Sequence, residues 1–384
     1  MKMTGKRMLA ALLAACCMGL GGMNARAETE GIDVMISRMT LREKVGQLFV
    51  IRPEALDTTG KGGYAMLTDE MRAEYAEYPS GGFCLFSQNL VDEDQLMYLT
   101  SCLHALGPVR PLLYIDEEGG SVARIGNHPD FSVPKVLPMG SIAKTGRPEK
   151  AKEAGLTIGA YLKMYGLDVD FAPVADVNTN PLNPVIGDRA FGTRPKLAAQ
   201  MVTAFLSGLH EAGIAGCVKH FPGHGDTATD THLGYAESRK TWEELKECEL
   251  IPFEAGIGAG ADMVMTAHIA LPNVTGSGEP ATVSSLILSE KLRGEMGYEG
   301  LIVTDALEMG AISKEFTPVE ACVRCLAAGA DILLLPVRYQ EAFDGVVRAV
   351  EMGEITESRI DESVRRVLAL KERLFGSNAN ERNE

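Results

Sequence analysis

The sequence predicts a single (β/α)8 barrel of the TIM type, and three observations support this prediction. Short apolar runs rich in β-forming residues recur along the chain, helical segments separate them, and polar residues stand where most of the runs end. The eight runs cover residues 47–51, 82–86, 112–115, 169–174, 216–218, 262–266, 301–304 and 331–335. Nearly continuous apolar runs are typical of parallel strands that are buried on both faces. Eight such strands that alternate with helices can close around one core.

The segments between the runs have the amphipathic pattern of helices that cover a barrel. Residues 148–164, 195–212 and 241–258 are examples, and residues 357–375 carry apolar side chains along one side of the last predicted helix. These side chains are Ile360, Val364, Val367, Leu368 and Leu370. We expect this helix to close the body of a single domain, residues 28–376, and residues 377–384 to form a disordered tail.

The first residues have the pattern of a secretory signal peptide. Three basic residues precede an alanine-rich apolar run at about 8–23, and residues 25–27 read Ala-Arg-Ala, which suits a signal peptidase. We therefore predict a signal peptide at residues 1–27 and an exported protein, either periplasmic or extracellular. Residues 13–16 read Leu-Ala-Ala-Cys and also resemble a lipobox, so a lipid anchor at Cys16 is an alternative. Such an anchor is the one contact with a membrane that the sequence predicts.

Charge and cysteine content exclude several functional classes. The whole chain carries a net charge of −15, and loss of the four basic residues in 1–27 would bring it to −19. Because an acidic body repels phosphate backbones, we expect no nucleic-acid partner. The six cysteines beyond residue 27 have no spacing that suggests a disulfide framework. We interpret Cys322 and Cys325 as buried packing on a helix rather than as a redox or zinc pair.

Polar side chains that could carry chemistry follow most of the predicted strands. They are Arg52, Ser87, Asp116, Asp176, Lys219, His220, His268 and Asp305. In a (β/α)8 barrel the active site is built from the carboxyl ends of the strands and from the loops that follow them. The sequence therefore predicts an active site at this end of the barrel.

The loop after the fifth strand combines histidines with aspartates. Residues 219–234 read KHFPGHGDTATDTHLG and hold three of the seven histidines of the chain. One interpretation is a metal site with ligands from His220, His224, Asp226, Asp230 and His232. Metal sites on barrels usually draw ligands from several strands, so we expect no metal here. A purely structural loop is a second interpretation that the residues alone leave open.

Acid–base chemistry is the third interpretation of this loop. A histidine titrates near neutral pH and can give and take a proton in successive steps. Asp230 and His232 are two residues apart, so in an extended segment their side chains face the same way. A carboxylate so placed can fix the tautomer of the imidazole and support its charged form.

The motif KHFPGHGDTATDTH resembles the signature of glycoside hydrolase family 3, in its branch of single-domain bacterial β-N-acetylglucosaminidases. The resemblance continues through IDEEGGSVARI (115–125), DFAPVADVNTNP (170–181), GDRAFG (187–192) and VTDALEMGAI (303–312). It covers nearly all of the chain after residue 27 in the order of the family. In this branch an Asp-x-His loop replaces the acid/base that two-domain β-glucosidases take from a second domain.

The resemblance implies roles for eight residues. Asp305 matches the nucleophile of the family, His232 the general acid/base, and Asp230 the partner of that histidine. The residues that match the hydroxyl-binding positions for the sugar are Asp116, Arg124, Arg189, Lys219 and His220. Neither a metal nor an organic cofactor is implied. We interpret His224 as a residue that braces the loop, and we expect His268 to line the pocket without an assigned role.

The resemblance also implies the reaction, which is retaining removal of terminal β-linked N-acetylglucosamine by a double displacement. An exported enzyme of this kind would meet carbohydrate partners such as muropeptides from peptidoglycan, or oligosaccharides from chitin. The alternatives are a β-glucosidase or β-xylosidase of the same family, and an exported sugar-binding protein without catalysis.

Two departures from the motifs of the family affect this prediction. Thr231 replaces a serine and keeps its hydroxyl, whereas Glu117 replaces a glutamine and is expected to add a charge near the pocket. An attack by the substrate's own acetamide, steered by the adjacent Asp116 and Glu117, is a rival mechanism. It is disfavoured because it gives no role to Asp305 or to residues 219–234, the histidine loop.

Overall fold

The structure is a computed structural model that describes residues 31–60, 64–227 and 236–376. The predicted signal peptide, Cys16, the acid/base pair Asp230 and His232, and the predicted tail lie outside the described residues. The chain separates into two units, residues 1–40 and residues 41–384. In the first unit residues 31–38 are helical. All elements named below belong to the second unit.

Eight parallel strands of the described chain form a closed barrel, as the sequence predicts. Their bounds are Phe49–Ile51 (β1), Gly82–Leu85 (β2), Leu112–Ile115 (β3), Val169–Asp170 (β4), Ala215–Phe221 (β5), Met263–Thr266 (β6), Leu301–Thr304 (β7) and Leu333–Leu334 (β8). The order in the sheet is β7-β6-β5-β4-β3-β2-β1-β8. A parallel bridge between Val303 and Ile332 joins β7 to β8 and closes the barrel.

Only β3 and β7 have their predicted bounds, and the largest differences are at β4 and β5. β4 ends at Asp170 rather than at residue 174, since Pro173 has no amide hydrogen to donate to a strand ladder. Its pairing with β5 resumes only as an isolated bridge between Val174 and Lys219. β5 extends to Phe221, so Lys219 and His220 lie within this strand rather than after it.

Helices occupy the connections between the strands. The longer ones are Asp69–Glu77, Glu93–His104, Pro148–Met164, Pro195–Glu211, Leu250–Gly258, the π-helix Leu286–Glu295, Pro318–Ala328, Tyr339–Glu351 and Glu357–Phe375. The shorter ones are Leu41–Gly46, Met139–Ala143, Trp242–Glu247, Pro272–Thr275 and Gly310–Ser313. In the described chain no helix has both the length and the apolar character needed to cross a membrane.

The segment predicted as one helical stretch at 241–258 is two helices with a break at Cys248. Pro252 explains the break. A proline within a helix cannot donate to the carbonyl four residues earlier, which is that of Cys248, and its ring clashes there. Proline is tolerated in the first turn, and the second helix therefore begins at Leu250.

Side chains fill the interior of the barrel, and the last helix closes one end of it. The cluster of buried residues from the strands includes Tyr114 and Phe171, whose stacked rings have centroids 5.2 Å apart. Val367 and Leu370 of the helix Glu357–Phe375 belong to the same cluster. All five apolar residues predicted for this helix are buried. Cys322 and Cys325 are also buried with free thiols, in agreement with the packing interpretation.

Three aspartates mark the amino-terminal mouth of the barrel, and each stands just before an even-numbered strand. Asp168, Asp262 and Asp331 accept backbone N–H groups at 2.9, 2.7 and 2.9 Å from the neighbouring odd-numbered strands. Asp331 also pairs with Arg366 at 3.0 Å, and Asp262 pairs with Arg373. These two arginines belong to the last helix, so the carboxylates fasten that helix to the barrel.

Candidate active site

A cavity of about 600 Å³ opens at the carboxyl ends of the strands. Six of the predicted site residues line it, although they are far apart in the sequence: Asp116, Arg124, Arg189, Lys219, His220 and Asp305. Arg52, Phe86, Glu118, His224 and Glu308 also contribute to its walls. The position agrees with the rule that barrel active sites lie at this end.

Lys219 connects two carboxylates at the base of the pocket. Its Nζ lies 2.7 Å from Oδ1 of Asp116 and 2.6 Å from Oε1 of Glu118. The Lys219 side chain is buried, which alone would lower its pKa, but the two nearby carboxylates raise the pKa above its ordinary value. Lys219 is therefore a fixed cation within the pocket.

Glu118 is shared between Lys219 and Arg189. Arg189 donates to it twice, from Nε and from Nη2, each at 2.8 Å. Burial alone would raise the pKa of Glu118, but the charges of Lys219 and Arg189 hold it below its ordinary value. This paired, bidentate arrangement fixes the direction of the Arg189 guanidinium in the wall of the pocket.

Asp116 and Glu118 face the pocket, whereas Glu117 points to the opposite side. Glu117 is buried and accepts backbone N–H groups from Ile125 at 2.9 Å and Gly126 at 2.7 Å, and the hydroxyl of Tyr161 at 2.8 Å. The expectation that Glu117 adds a charge to the pocket is therefore wrong. Its position also counts against a mechanism that needs Asp116 and Glu117 side by side at the substrate.

Glu118 is a site residue that the sequence interpretation missed. The short strand Glu117–Gly119 pairs with Val122–Ala123 immediately after Asp116. Side chains alternate along extended backbone, so the residue two positions after Asp116 returns to the same side. This alternation was present in the sequence as Asp-Glu-Glu and could have identified Glu118.

Asp176 orients His220 towards the pocket. Oδ2 of the buried Asp176 lies 2.7 Å from Nδ1 of His220, and its Oδ1 accepts the backbone N–H of His224 at 2.6 Å. Because a carboxylate only accepts, Nδ1 of His220 carries a proton. Nε2 is then the ring nitrogen on the pocket side, 3.5 Å from Nη2 of Arg189.

His224 and Thr227 form the beginning of the histidine loop. Nδ1 of His224 lies 2.7 Å from Oγ1 of Thr227, and Nδ2 of Asn183 donates at 2.8 Å to the carbonyl of His224. These contacts agree with the interpretation of His224 as a brace, although the residue also lines the pocket. Beyond the undescribed residues 228–235, Ala236–Glu237 pairs with Ile269–Ala270.

Asp305 stands immediately after β7 and is partly exposed. Its backbone N–H donates to the carbonyl of Thr266 at 3.0 Å, and its Oδ1 accepts the N–H of Ala306 at 2.8 Å. Burial opposes ionisation of this carboxyl. The charges of His268, His220 and Lys219 and the N–H of Ala306 outweigh that effect and lower its pKa. Asp305 is therefore an ionised carboxylate at neutral pH.

Two arginines and an aromatic ring form another wall of the pocket. The guanidinium carbons of Arg52 and Arg124 lie 4.4 and 5.4 Å from the centroid of the Phe86 ring. Arg124 also approaches Oδ2 of Asp116 at 3.7 Å. Arg52 donates to both carboxylate oxygens of Glu308, which ties the end of β1 to the loop that carries Asp305.

His268 does not line the pocket as expected. Its ring is fully buried, with Nδ1 2.9 Å from Oγ1 of Thr282 and Nε2 3.1 Å from the carbonyl oxygen of Ala306. It lies behind the segment that presents Asp305. Among residues 31–60, 64–227 and 236–376, no group of three or more histidine, cysteine or carboxylate side chains is arranged to hold a metal ion.

Comparisons with known proteins give consistent similarities. The profile of the family described as "Glycosyl hydrolase family 3 N terminal domain" matches residues 40–370. A beta-hexosaminidase A of Pseudoalteromonas piscicida is 34% identical over 82% of this chain and 56% of its own length. A beta-hexosaminidase of Stenotrophomonas maltophilia strain R551-3 is 35% identical over 70% of this chain and 79% of its own length.

A solved structure adds a similarity of fold. The glycoside hydrolase family 3 beta-N-acetylglucosaminidase of Paenibacillus sp. strain FPU-7 superposes with a TM-score of 0.82 at 38% identity. The similarity covers 90% of this chain and 64% of the Paenibacillus chain. The present chain thus spans little more than half of the Pseudoalteromonas protein and under two thirds of the Paenibacillus chain.

Proposed function

The chain belongs to the family of glycosyl hydrolase family 3 N-terminal domains, and from this premise we propose that it is a retaining exo-β-N-acetylhexosaminidase. Its products would be terminal N-acetylglucosamine units released from β-linked oligosaccharides. The observation that carries the proposal is the ionised Asp305 at the end of β7, which faces a pocket lined by charged hydrogen-bonding groups. The names of the similar proteins from Pseudoalteromonas, Stenotrophomonas and Paenibacillus support the choice of sugar.

The reaction proceeds in two displacements. A carboxylate oxygen of Asp305 attacks the anomeric carbon, and the bond to the leaving oxygen breaks as His232 donates a proton to that oxygen. His232, now neutral, removes a proton from water. The resulting attack on the anomeric carbon releases the sugar and restores the carboxylate of Asp305. Asp230 supports the charged form of His232 during these steps.

The ion-pair network supplies the groups that hold the sugar. Asp116 accepts hydrogen bonds, and Lys219 and Arg189 donate them, so together they suit the hydroxyl groups of one pyranose ring. Since Lys219 and Arg189 are fixed by Glu118, little side-chain freedom is lost when the sugar binds. Arg124 and His220 also line this cavity and complete the set.

The histidine loop favours a β-N-acetylhexosaminidase over a β-glucosidase or β-xylosidase. A chain that carries Asp230 and His232 has its own acid/base pair and needs none from a second domain. The charges around Asp305 agree with catalysis rather than with sugar binding alone, because those of His268, His220 and Lys219 favour its ionised form.

The proposal also includes export of the protein and the class of its natural substrate. The leader at residues 1–27 supports a periplasmic or extracellular protein, either soluble or anchored by a lipid at Cys16. In those compartments the carbohydrate partners would be muropeptides, where N-acetylglucosamine is linked to N-acetylmuramic acid, or chitin-derived oligosaccharides. Muropeptides are the favoured substrate.

The test compares initial rates on aryl β-N-acetylglucosaminide and aryl β-glucoside, each with and without a metal chelator. We expect fast, chelator-insensitive cleavage of the first substrate alone. A fluorinated N-acetylglucosaminide whose covalent intermediate accumulates should label the peptide that contains Asp305, and the Asp305→Asn variant should take no label. Preference for the glucoside would reject the substrate assignment, and a labelled residue other than Asp305 would reject the mechanism.

A further inference from the structure

His268 contacts the segment that presents Asp305 although it lies outside the pocket. It follows β6, is fully buried, and reaches Ala306, the residue next to Asp305. Both backbone polar groups of Ala306 are hydrogen-bonded. Its carbonyl oxygen is 3.1 Å from Nε2 of His268, and its N–H donates to Oδ1 of Asp305 at 2.8 Å. The inference below rests on the proposed function, in which Asp305 is the nucleophile.

The contacts of the His268 ring indicate where its protons are. A carbonyl oxygen only accepts, so the contact with Ala306 requires a proton on Nε2. On the other side, Oγ1 of Thr282 has one proton and three neighbours, namely Nδ1 of His268 at 2.9 Å, the carbonyl of Ala267 at 2.9 Å and Oγ1 of Thr266 at 3.0 Å.

The carbonyl of Ala267 can only accept, so the single proton of Thr282 satisfies that contact when it points to Ala267. Thr282 then accepts from both of its other neighbours, which places a second proton on Nδ1 of His268. Of the contacts with described residues, this arrangement makes all four around His268 and Thr282 hydrogen bonds. It makes the ring an imidazolium.

We propose that His268 is a positioning residue that carries protons on both ring nitrogens and keeps a fixed positive charge behind the nucleophile Asp305. It acts through Ala306, whose N–H it directs at the carboxylate, and through its own charge. It touches neither the sugar nor the leaving group.

Three other titratable side chains besides His268 also face Asp305 among the described residues. Lys219 and His220 approach from β5, and His224 from the loop that follows it. Lys219 shares its charge with Asp116 and Glu118, and His220 shares its Nδ1 proton with Asp176. Of the charges of His268, His220 and Lys219, that of His268 has the largest effect on the pKa of Asp305, which it lowers.

The protonation of His268 can be measured without substrate. In protein labelled with ¹⁵N-histidine, two-bond ¹H–¹⁵N spectra distinguish protonated from bare ring nitrogens, and the signals absent from His268→Gln identify His268. We expect both nitrogens to be protonated between pH 6 and pH 8. A bare nitrogen on His268 in this range would overturn the proposal.

The consequence for Asp305 is measured in the pH dependence of kcat/KM. His268→Gln retains a donor near the carbonyl of Ala306 but is neutral, so we expect the acid limb to move up by about one pH unit. Thr282→Val, which removes the acceptor for Nδ1, should move the limb in the same direction. His210→Gln is the matched control, because it removes a histidine paired with Asp262 at the other end of the barrel. It should leave the acid limb in place.

The two measurements separate this inference from the proposed function. Wild-type protein without hydrolytic activity, but with a doubly protonated His268, would reject the proposed function and leave the charge of His268 established. An active wild-type enzyme whose acid limb is unchanged in His268→Gln would overturn the inference and leave the proposed function intact. A loss of stability without a shift of the limb would give His268 a structural role only.

Discussion

Lys219 and Glu118 form a buried ion pair, 2.6 Å from Nζ to Oε1, at the base of the pocket. The two residues are about a hundred positions apart, on β5 and in the hairpin after β3. Burying two charges is costly unless they are paired and hydrogen-bonded, and here Asp116 and Arg189 complete the set. The pair therefore stabilises the pocket and fixes the direction of the groups that are proposed to hold the sugar.

The first prediction concerns this pair. Glu118→Gln removes the charge that Lys219 and Arg189 share, and breaking a buried pair from one side typically costs about 3–5 kcal/mol. We expect a lower free energy of unfolding by urea denaturation and a higher KM for the aryl substrate. Glu117→Gln is the matched control, since the neighbouring residue faces away from the pocket. It should affect stability but leave KM unchanged for the folded enzyme, and an equal rise in KM would contradict the assignment.

The second prediction concerns the nucleophile. Asp305→Asn removes the charge that is proposed to attack the anomeric carbon, so kcat should fall by a factor on the order of 10³ or more. The amide keeps the size of the side chain and can still accept from the N–H of Ala306. The thermal midpoint should consequently remain close to that of the wild type. Near-normal kcat in a well-folded Asp305→Asn protein would show that another group forms the covalent bond.

The third prediction concerns the loop residues Asp230 and His232. His232→Ala removes the proposed general acid, whose contribution is typically about 10²–10⁴-fold, and the loss should depend on the leaving group. We expect a large loss of kcat/KM with a poor leaving group such as an unsubstituted sugar, and a much smaller loss with dinitrophenolate, which leaves without protonation. Asp230→Asn should follow the same pattern to a lesser extent. Equal losses with both leaving groups would contradict a role for this pair in proton transfer.

The fold could be predicted from the sequence because its signals are local. Each strand is a short apolar run, and the helix Glu357–Phe375 was predicted with the bounds that the structure gives it. The break at Cys248 was less visible, although Pro252 signalled it. The fourth strand was predicted to continue past Asp170, but it ends there because of Pro173. The proline is visible in the sequence, but the prediction gave more weight to the apolar residues around it.

The candidate site was predictable only in part, because its residues meet through the fold. Strand ends indicated Asp116, Lys219 and Asp305, since the carboxyl ends of parallel strands converge. The orientation of Glu117 and Glu118 depends on a hairpin of a few residues. The family motif gives the two residues in order but does not indicate which of their side chains faces the pocket. The contacts of His268 with Thr282 and Ala306 depend on three separate loops, for which the sequence contains no local pattern.

The last prediction concerns acid stability at the amino-terminal mouth of the barrel. Burial alone would raise the pKa of Asp262, but the hydrogen bond from His210, the charge of Arg373 and the N–H of Gly216 lower the pKa below its ordinary value. A carboxyl with a depressed folded-state pKa contributes stability that is present above its unfolded pKa and is lost as the pH falls through the folded one. The free energy of unfolding should therefore decrease as the pH falls below about 4.

Asp262→Asn tests this origin of the pH dependence. The amide cannot form ion pairs with His210 and Arg373, so the variant should be less stable at pH 6 by about 1–3 kcal/mol. Its stability should also decline less steeply than that of the wild type between pH 5 and pH 3. Urea denaturation across this range measures both effects, with Asp130→Asn as a control because Asp130 is an exposed aspartate. If the free energy of unfolding of Asp262→Asn fell as steeply with pH as that of the wild type, the acid sensitivity would have to come from other carboxylates.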